Sequence, residues 1–356
     1  MPLEELRKQI DQFDSQLVEL LNARARVVVE VGKHKSKTAG AVYAPDREKA
    51  VLKKIIDENK GPLPNKTLIA IWRELMSGSF HLENPLRIAY LGPQGSFSHS
   101  AAMLKFGQSV DYEAVIDIRS IFDEVAKGHS DLGIVPIENS AGGPVNESLD
   151  AFMDYDILIC AEVYMAIHHN LLANCSIEQI EELYSKPEIF AQCRKWLSAT
   201  FKDANTIPVT SSAKAVQMAA EKPNTGAIGS SIAAELYNVM VVCENIEDNA
   251  NNVTRFLVIS KNDVKATGDD KTAILFSTAH KAGALVDVLE VFRSNGLNLA
   301  NIQARPSKKR EWEYCFFVDF PGHRQDENVS KAIAEAKKHC LQLSVLGSFP
   351  KNSEML

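Results

Sequence analysis

Several things are scarce in this 356-residue chain. Positive charge is not in excess. There are 39 Lys and Arg against 46 Asp and Glu, a net charge of −7, which argues against nucleic acid or an anionic membrane surface as the main partner. No stretch approaches the roughly 18 apolar residues of a membrane span. The opening Met1-Pro2-Leu3-Glu4-Glu5 lacks the basic flank and apolar run of a signal peptide. Six cysteines scatter from Cys160 to Cys340 without a Cys-x-x-Cys pair. That pattern fits reduced, packed thiols and a cytoplasmic location. His168-His169 is an adjacent pair; neighbours in sequence do not face one way on a helix or strand, so no metal site is expected there. No repeat or low-complexity tract interrupts the chain.

What is present is the composition of a folded protein, 45% hydrophobic and 24% charged, at a length that calls for two or three domains. Leu3 to about Lys37 contains no Pro, and its first Gly is Gly32. A single helix of some 35 residues is expected, on the order of 50 Å long. That is too long for one compact chain of this size, and a dimer with interlocked helices would solve the burial problem. Arg7, Ile10, Asp14, Leu17, Leu21, Arg24, Val28, Val31 and Lys35 step by threes and fours along one face. Three cations therefore sit on a seam that should be apolar. Buried unpaired cations are costly and are normally neutralised. The seam reads as an anion pocket in a helical bundle, although Arg7, near the helix end, also reads as a cation snorkelling to water.

Pro45 opens a second helix carrying Arg47 and Glu48. Gly61-Pro62-Leu63-Pro64 breaks the chain before a third helix to about Glu83, on which Trp72, Met76, Ser79 and Glu83 share a face; Asn84-Pro85 reads as a linker. From Arg87 short apolar strands alternate with helices, an α/β pattern with parallel sheets and two lobes. After Gly268-Asp269-Asp270 the order becomes βαββαβ, the ferredoxin-like plan. The expected domains are residues 1–84, all-α; 86–264, α/β and two-lobed; and 270–350, α+β.

Particular residues carry a family resemblance. Arg7, Arg24, Val31-Gly32-Lys33-His34-Lys35 and Pro45-Asp46-Arg47-Glu48 resemble the all-helical chorismate mutases. Gly92-Pro93-Gln94-Gly95-Ser96-Phe97-Ser98, Val135-Pro136-Ile137-Glu138-Asn139-Ser140 and Asn251-Asn252-Val253-Thr254-Arg255-Phe256 resemble prephenate dehydratase. Gly283-Ala284-Leu285, Asn298-Leu299 and Arg305-Pro306 resemble the ACT domain that follows dehydratases. In this order the three modules resemble the bifunctional chorismate mutase–prephenate dehydratase family over nearly the whole chain.

The resemblance implies conversion of chorismate to prephenate and then to phenylpyruvate, in a homodimer or higher oligomer, without metal or other cofactor. In the mutase it places Arg24 and Arg47 on the substrate carboxylates, with Arg7 from a second subunit. It places Lys35 at the ether oxygen, Glu48 at the ring hydroxyl, and Ser79 and Glu83 in the wall. Relatives often carry an acidic residue near Ala44 and Gln at Glu83. In the dehydratase it implies Thr254 as proton donor and Arg255 as carboxylate ligand, with Ser96, Phe97, Asn139, Ser140, Ser185, Gln192 and Phe256 in the pocket. Lys186-Pro187 stands where relatives have His-Pro. Gly283, Ala284, Leu285 and Asn298 would bind L-phenylalanine as an allosteric effector, although Gln303-Ala304 replaces the usual Glu-Ser.

Several motifs have plainer readings taken alone. Gly92 to Ser98 also reads as a tight strand-to-helix turn; it has neither Walker A nor Rossmann spacing, and with Ser96 at a helix start its N–H groups suit a carboxylate. Glu138-Asn139 also reads as a cap, and Glu83 as a fraying helix end. Two other functions fit the same outline. One is an amino-acid-responsive, two-lobed binding or sensor protein, because fold does not fix function. The other is a monofunctional dehydratase whose helical module only dimerises.

Overall fold

A computed structural model describes residues 2–38, 43–201, 204–307 and 313–352. The expected domain ranges also run through residues 1, 39–42, 202–203 and 308–312, which lie outside the described ones. The chain divides into two compact units: Met1–Ala44, Leu52–Leu86 and Phe106–Asp111; and Pro45–Val51, Arg87–Lys105 and Tyr112–Leu356. The expected second and third domains fall within the second unit apart from Leu86 and residues 106–111.

The helical elements are α1 (Leu3–Thr38), α2 (Pro45–Glu58) and α3 (Asn65–Glu83). Helix α1 runs as long as its freedom from Pro predicts. Over residues 3–23 its apolar stripe faces no core among the described residues: Ile10, Phe13 and Leu17 are more than half exposed. Near the other end α1 meets α3 at Gly32, where a Cβ would stand 2.8 Å from the Cα of Glu83. Only a glycine allows so close an approach.

After Leu86 come β1 (Arg87–Leu91), α4 (Phe97–Phe106), β2 (Asp111–Val115), α5 (Ile118–Lys127), β3 (Leu132–Asn139), β4 (Gly143–Pro144), α6 (Asn146–Asp154), β5 (Leu158–Ala166), β6 (Asn170–Ala173) and β7 (Glu182–Ser185). They are followed by α7 (Pro187–Gln192), α8 (Arg194–Thr200), β8 (Asn205–Pro208), α9 (Ser212–Glu221), β9 (Thr225–Gly229), α10 (Ser231–Tyr237), β10 (Val241–Cys243) and β11 (Val253–Ser260). One sheet is ordered β2-β1-β3-β11-β5, with β4 beside β3; the other is ordered β10-β6-β9-β7-β8. The sheets are mixed, not parallel as expected. β1 and β3 are parallel, but β11 runs antiparallel to both β3 and β5. It returns from the second lobe into the middle of the first sheet, and an apolar run has the same composition in either direction.

Helix α5 shows why these segments fold as they do. Asp117 accepts a bond from the Ser120 N–H at its start, and Gly128 ends it in the left-handed conformation. Between the caps Ile118, Ile121, Phe122 and Val125 are buried, at the spacing of one helical face. Each stabilises by about 1.5–3 kcal/mol.

The last elements are β12 (Asp270–Ser277), α11 (Ala284–Ser294), β13 (Asn301–Pro306), β14 (Tyr314–Pro321), α12 (Glu327–Ala336) and β15 (Gln342–Pro350), with the sheet ordered β13-β14-β12-β15. The βαββαβ order is as read from the sequence. This sheet packs directly on the first lobe: Ala273, Phe317, Leu346 and Phe349 share a core with Phe152, Ile159 and Leu257. At Gly347 (φ +150°) a Cβ would stand 2.2 Å from the Ile159 carbonyl oxygen. No described helix is long and apolar enough to cross a membrane.

Candidate active sites

In the helical unit, α1 and α3 bring four of the expected mutase residues together in pairs. Arg24 Nη1 donates to Ser79 Oγ at 2.7 Å, and Ser79 Oγ donates to the Leu75 carbonyl at 2.6 Å. Lys35 Nζ lies 2.8 Å from Glu83 Oε2, the carboxylate side chain being only 13% exposed. Glu83 is thus held at the helix end rather than fraying into solvent. The Gly32 approach makes that reach possible. Arg7 is exposed, and 17 residues of helix place it about 25 Å from Arg24 along α1. Arg47 and Glu48 belong to the other unit. There Arg47 is exposed, and Glu48 is held by Lys105 Nζ at 3.0 and 2.9 Å.

The dehydratase motifs converge where the chain crosses between lobes. Thr254 lies on β11 opposite Asn139 on β3. Asn139 Nδ2 donates to Thr254 Oγ1 at 2.8 Å and to Asn252 Oδ1 at 2.7 Å. Asn252 Nδ2 reaches Gln192 Oε1 at 3.4 Å, and His169 Nε2 lies 2.7 Å from the same oxygen. Phe97 stands edge-on to His169, with ring centroids 5.5 Å apart. Burial lowers the His169 pKa, more than its bond to Gln192 raises it. Ser140 clasps the same turn: its Oγ donates to the Asn251 carbonyl at 3.1 Å and accepts from the Val253 N–H at 2.9 Å.

Other expected residues sit differently. Arg255 follows Thr254 on the strand and so faces the other side of the sheet. Its guanidinium lies 2.8 Å from Glu162 on β5 and 2.5 Å from Asp319 on β14. Lys271 Nζ completes the cluster, 3.0 Å from Glu162. Burial lowers the Arg255 pKa, but the Asp319 and Glu162 charges outweigh it and raise the value above the ordinary one. The structure therefore does not bring Arg255 to Thr254. Phe256 is buried in the strand. Ser185 is fully buried and its hydroxyl donates to the Ile228 carbonyl at 2.9 Å. At Ser96 the hydroxyl donates to Leu91 O at 2.7 Å and the N–H to Pro93 O at 3.1 Å, while the Gly95 N–H donates to His99 Nδ1 at 3.2 Å. Those two N–H groups are not open to a carboxylate.

In the third module Gly283 precedes α11 with φ +84°. Ala284 is buried, Leu285 packs on the module core and Asn298 is exposed. Arg305 forms a two-pronged pair with Asp150 on α6 at 2.9 and 3.0 Å. Among the described residues no group of three or more His, Cys, Asp or Glu side chains is placed to hold a metal ion.

Sequence reasoning missed Asn252 and His169 as members of the network, and Glu162, Lys271 and Asp319 as partners of Arg255. The available signal for the second group was a lone charge inside two apolar strands, Glu162 in β5 and Asp319 in β14; Lys271 sits beside Asp270 at the start of β12.

Comparison with known proteins agrees with this layout. The chorismate mutase type II family matches residues 6–84, prephenate dehydratase residues 88–264, and the ACT domain residues 272–337. The bifunctional chorismate mutase/prephenate dehydratase of Aquifex aeolicus is 44% identical over 98% of both chains. That of Stutzerimonas stutzeri is 43% identical, again over 98% of each. The crystal structure of prephenate dehydratase from Arthrobacter aurescens in complex with L-Phe superposes with a TM-score of 0.70 at 29% identity, covering 75% of this chain and 90% of that one. The chain belongs to the family of bifunctional chorismate mutase/prephenate dehydratases.

Proposed function

We infer that this chain is a bifunctional enzyme of phenylalanine biosynthesis. It rearranges chorismate to prephenate, then dehydrates and decarboxylates prephenate to phenylpyruvate, with L-phenylalanine as feedback effector at the ACT domain. The observation that carries the reading is the Thr254 hydroxyl held by Asn139 at 2.8 Å, within the motif of the dehydratase module. The working modules are residues 1–84, 86–264 and 270–350.

The mutase step is a pericyclic rearrangement with negative charge growing on the breaking ether oxygen. It needs no nucleophile, only preorganised donors in a dry pocket. Arg24 binds a carboxylate, Lys35 faces the ether oxygen, and Ser79 and Glu83 hold those two cations in place. Arg47 and Glu48 join the carboxylate and hydroxyl contacts on the resemblance alone. Arg7 serves the pocket of a second copy, which accords with its distance from Arg24. The exposed apolar stripe of α1 supports a homodimer built on that helix.

In the dehydratase step the ring carboxylate leaves as carbon dioxide, its electron pair enters the ring, and the hydroxyl is expelled as hydroxide, which takes a proton from solvent to become water. Thr254 donates a hydrogen bond to the departing hydroxyl. A threonine hydroxyl is a weak acid, so it acts by position, and aromatisation supplies the driving force. Gln192 and Asn139 belong to the same pocket, with Phe97 beside His169. Ser140 braces the turn before Thr254, while Ser96, Ser185 and Phe256 act only from behind, as supports of the elements that carry the pocket. The six free cysteines fit a cytoplasmic enzyme.

A coupled assay tests the reading. Purified protein given chorismate should consume it and release phenylpyruvate. Absence of either change overturns the corresponding half.

A further inference from the structure

The hydrogen bonds around Thr254 have a direction that can be followed from one fixed end. Asn139 Oδ1 accepts the backbone N–H groups of Ala141 at 3.0 Å and Gly142 at 2.8 Å. Backbone N–H groups only donate, so the Asn139 amide can stand only one way round, with its NH₂ group on the other side. Its two hydrogens go to Thr254 Oγ1 and Asn252 Oδ1. Asn252 therefore turns its own NH₂ toward Gln192, and Gln192 receives it on Oε1. The second neighbour of that oxygen, His169 Nε2, must then be a donor. The His169 ring is neutral with its proton on Nε2, in accord with its burial at 1% exposure.

The hydrogen count has a consequence for chemistry. Along the path from Asn139 through Asn252 to Gln192 each side-chain oxygen takes a hydrogen from within, so the groups left at its two ends are donors. They are the Thr254 O–H, whose oxygen is occupied by Asn139, and the Gln192 NH₂, which has no hydrogen-bond partner among the described residues. His169 Nδ1, off that path, is buried without a partner among the described residues. A substrate with two carboxylates and a departing hydroxyl offers acceptors to both. Gln192 keeps this orientation through two bonds only, and the one from Asn252 is long at 3.4 Å. The stronger hold is His169, whose backbone is itself fixed by Glu247 Oε2 at 2.9 Å on its N–H and by the Ile246 N–H at 2.8 Å on its carbonyl.

We propose that His169 is a positioning residue of the dehydratase site: its Nε2–H locks the Gln192 amide with the oxygen inward and the NH₂ group toward the substrate. Without that donor the amide can turn over and present an oxygen to a carboxylate. This rests on the dehydratase reading above, with Thr254 as the donor to the leaving hydroxyl.

The test uses the full-length protein and measures kcat and KM for prephenate. His169→Leu removes the donor at similar volume, and His169→Gln returns an amide N–H near the Nε2 position. Loss of one orienting bond predicts a fall of about tenfold in kcat/KM for His169→Leu, with His169→Gln recovering most of it. The double variant His169→Leu/Gln192→Leu should be no worse than Gln192→Leu alone, because His169 acts through Gln192. Equal rates in His169→Leu and His169→Gln, or additive losses in the double variant, would overturn the proposal. Should His169→Leu fail to fold, ¹⁵N spectra of the histidine rings decide. The signal lost in His169→Gln should report a proton on Nε2, and a proton on Nδ1 sinks the idea. Thr254→Ala separates the two levels. If it keeps full prephenate turnover, the dehydratase reading itself fails; if it loses turnover while His169→Leu keeps it, only the role of His169 fails.

Discussion

Thr254 and Arg255 are neighbours on β11 that serve opposite faces of one sheet. The hydroxyl of the first is held by Asn139 at 2.8 Å, while the guanidinium of the second lies 2.5 Å from Asp319 on β14 of the third module. The strand that carries the proposed hydrogen-bond donor to the leaving hydroxyl is thereby tied to the effector module. Removing one partner of a buried ion pair costs about 3–5 kcal/mol, because the other charge is left uncompensated. Asp319→Ala should destabilise the protein by that order in urea unfolding, with KM for prephenate nearly unchanged well below the transition. A large rise in KM without loss of stability would instead make Arg255 a substrate ligand.

The Lys35–Glu83 pair makes a prediction for the mutase. Lys35 Nζ lies 2.8 Å from a largely buried Glu83 carboxylate. Glu83→Gln keeps a hydrogen-bonding group against Lys35 and adds an N–H donor. Mutase activity should survive at neutral pH in Glu83→Gln and fall about tenfold or more in Glu83→Leu, which removes both. Equal activity in the two variants, measured as chorismate loss, would reduce Glu83 to packing.

Effector binding should depend on the turn before α11. Gly283 holds φ +84°, a conformation that a branched side chain strains. Calorimetry should give heat on addition of millimolar L-phenylalanine to the unaltered protein, and binding weakened about tenfold or more in Gly283→Val. No heat with phenylalanine, tyrosine or tryptophan would leave the module a purely structural one.

Packing of the third module on the first lobe turns on Gly347. A Cβ there would fall 2.2 Å from the Ile159 carbonyl oxygen, so β15 must shift away from β5. Gly347→Ala should destabilise by about 2–4 kcal/mol, seen as a lower midpoint in thermal unfolding. An unchanged midpoint would contradict the close approach.

Much of the fold was legible because its local signals are strong. The absence of Pro from Leu3 to Lys37 specified α1, Pro45 marked the start of α2, and alternating strands and helices gave the third module in its βαββαβ order. Strand direction was not legible, since the apolar run of β11 reads the same parallel or antiparallel. Short elements such as α6 and α10 have too few turns to display a period. Within the network around Thr254, the sequence singled out Thr254 and Asn139 by motif and Gln192 by a family position. His169 escaped because the role proposed for it rests on one hydrogen bond to a residue 23 positions away. Arg255 was assigned to the substrate because a motif names residues together and strand alternation separates them. Glu162 and Asp319, its two carboxylate partners, lie on strands from different modules.

The central claim is that two successive reactions run on separate sets of residues in one chain. Supplying chorismate to Thr254→Ala tests it most directly, with chorismate, prephenate and phenylpyruvate followed together. Loss of one strong transition-state contact costs on the order of 10²–10³ in rate. The account predicts chorismate consumed at the unaltered rate and prephenate accumulating in its place, with almost no phenylpyruvate. Phenylpyruvate formed as fast as in the unaltered protein would contradict it.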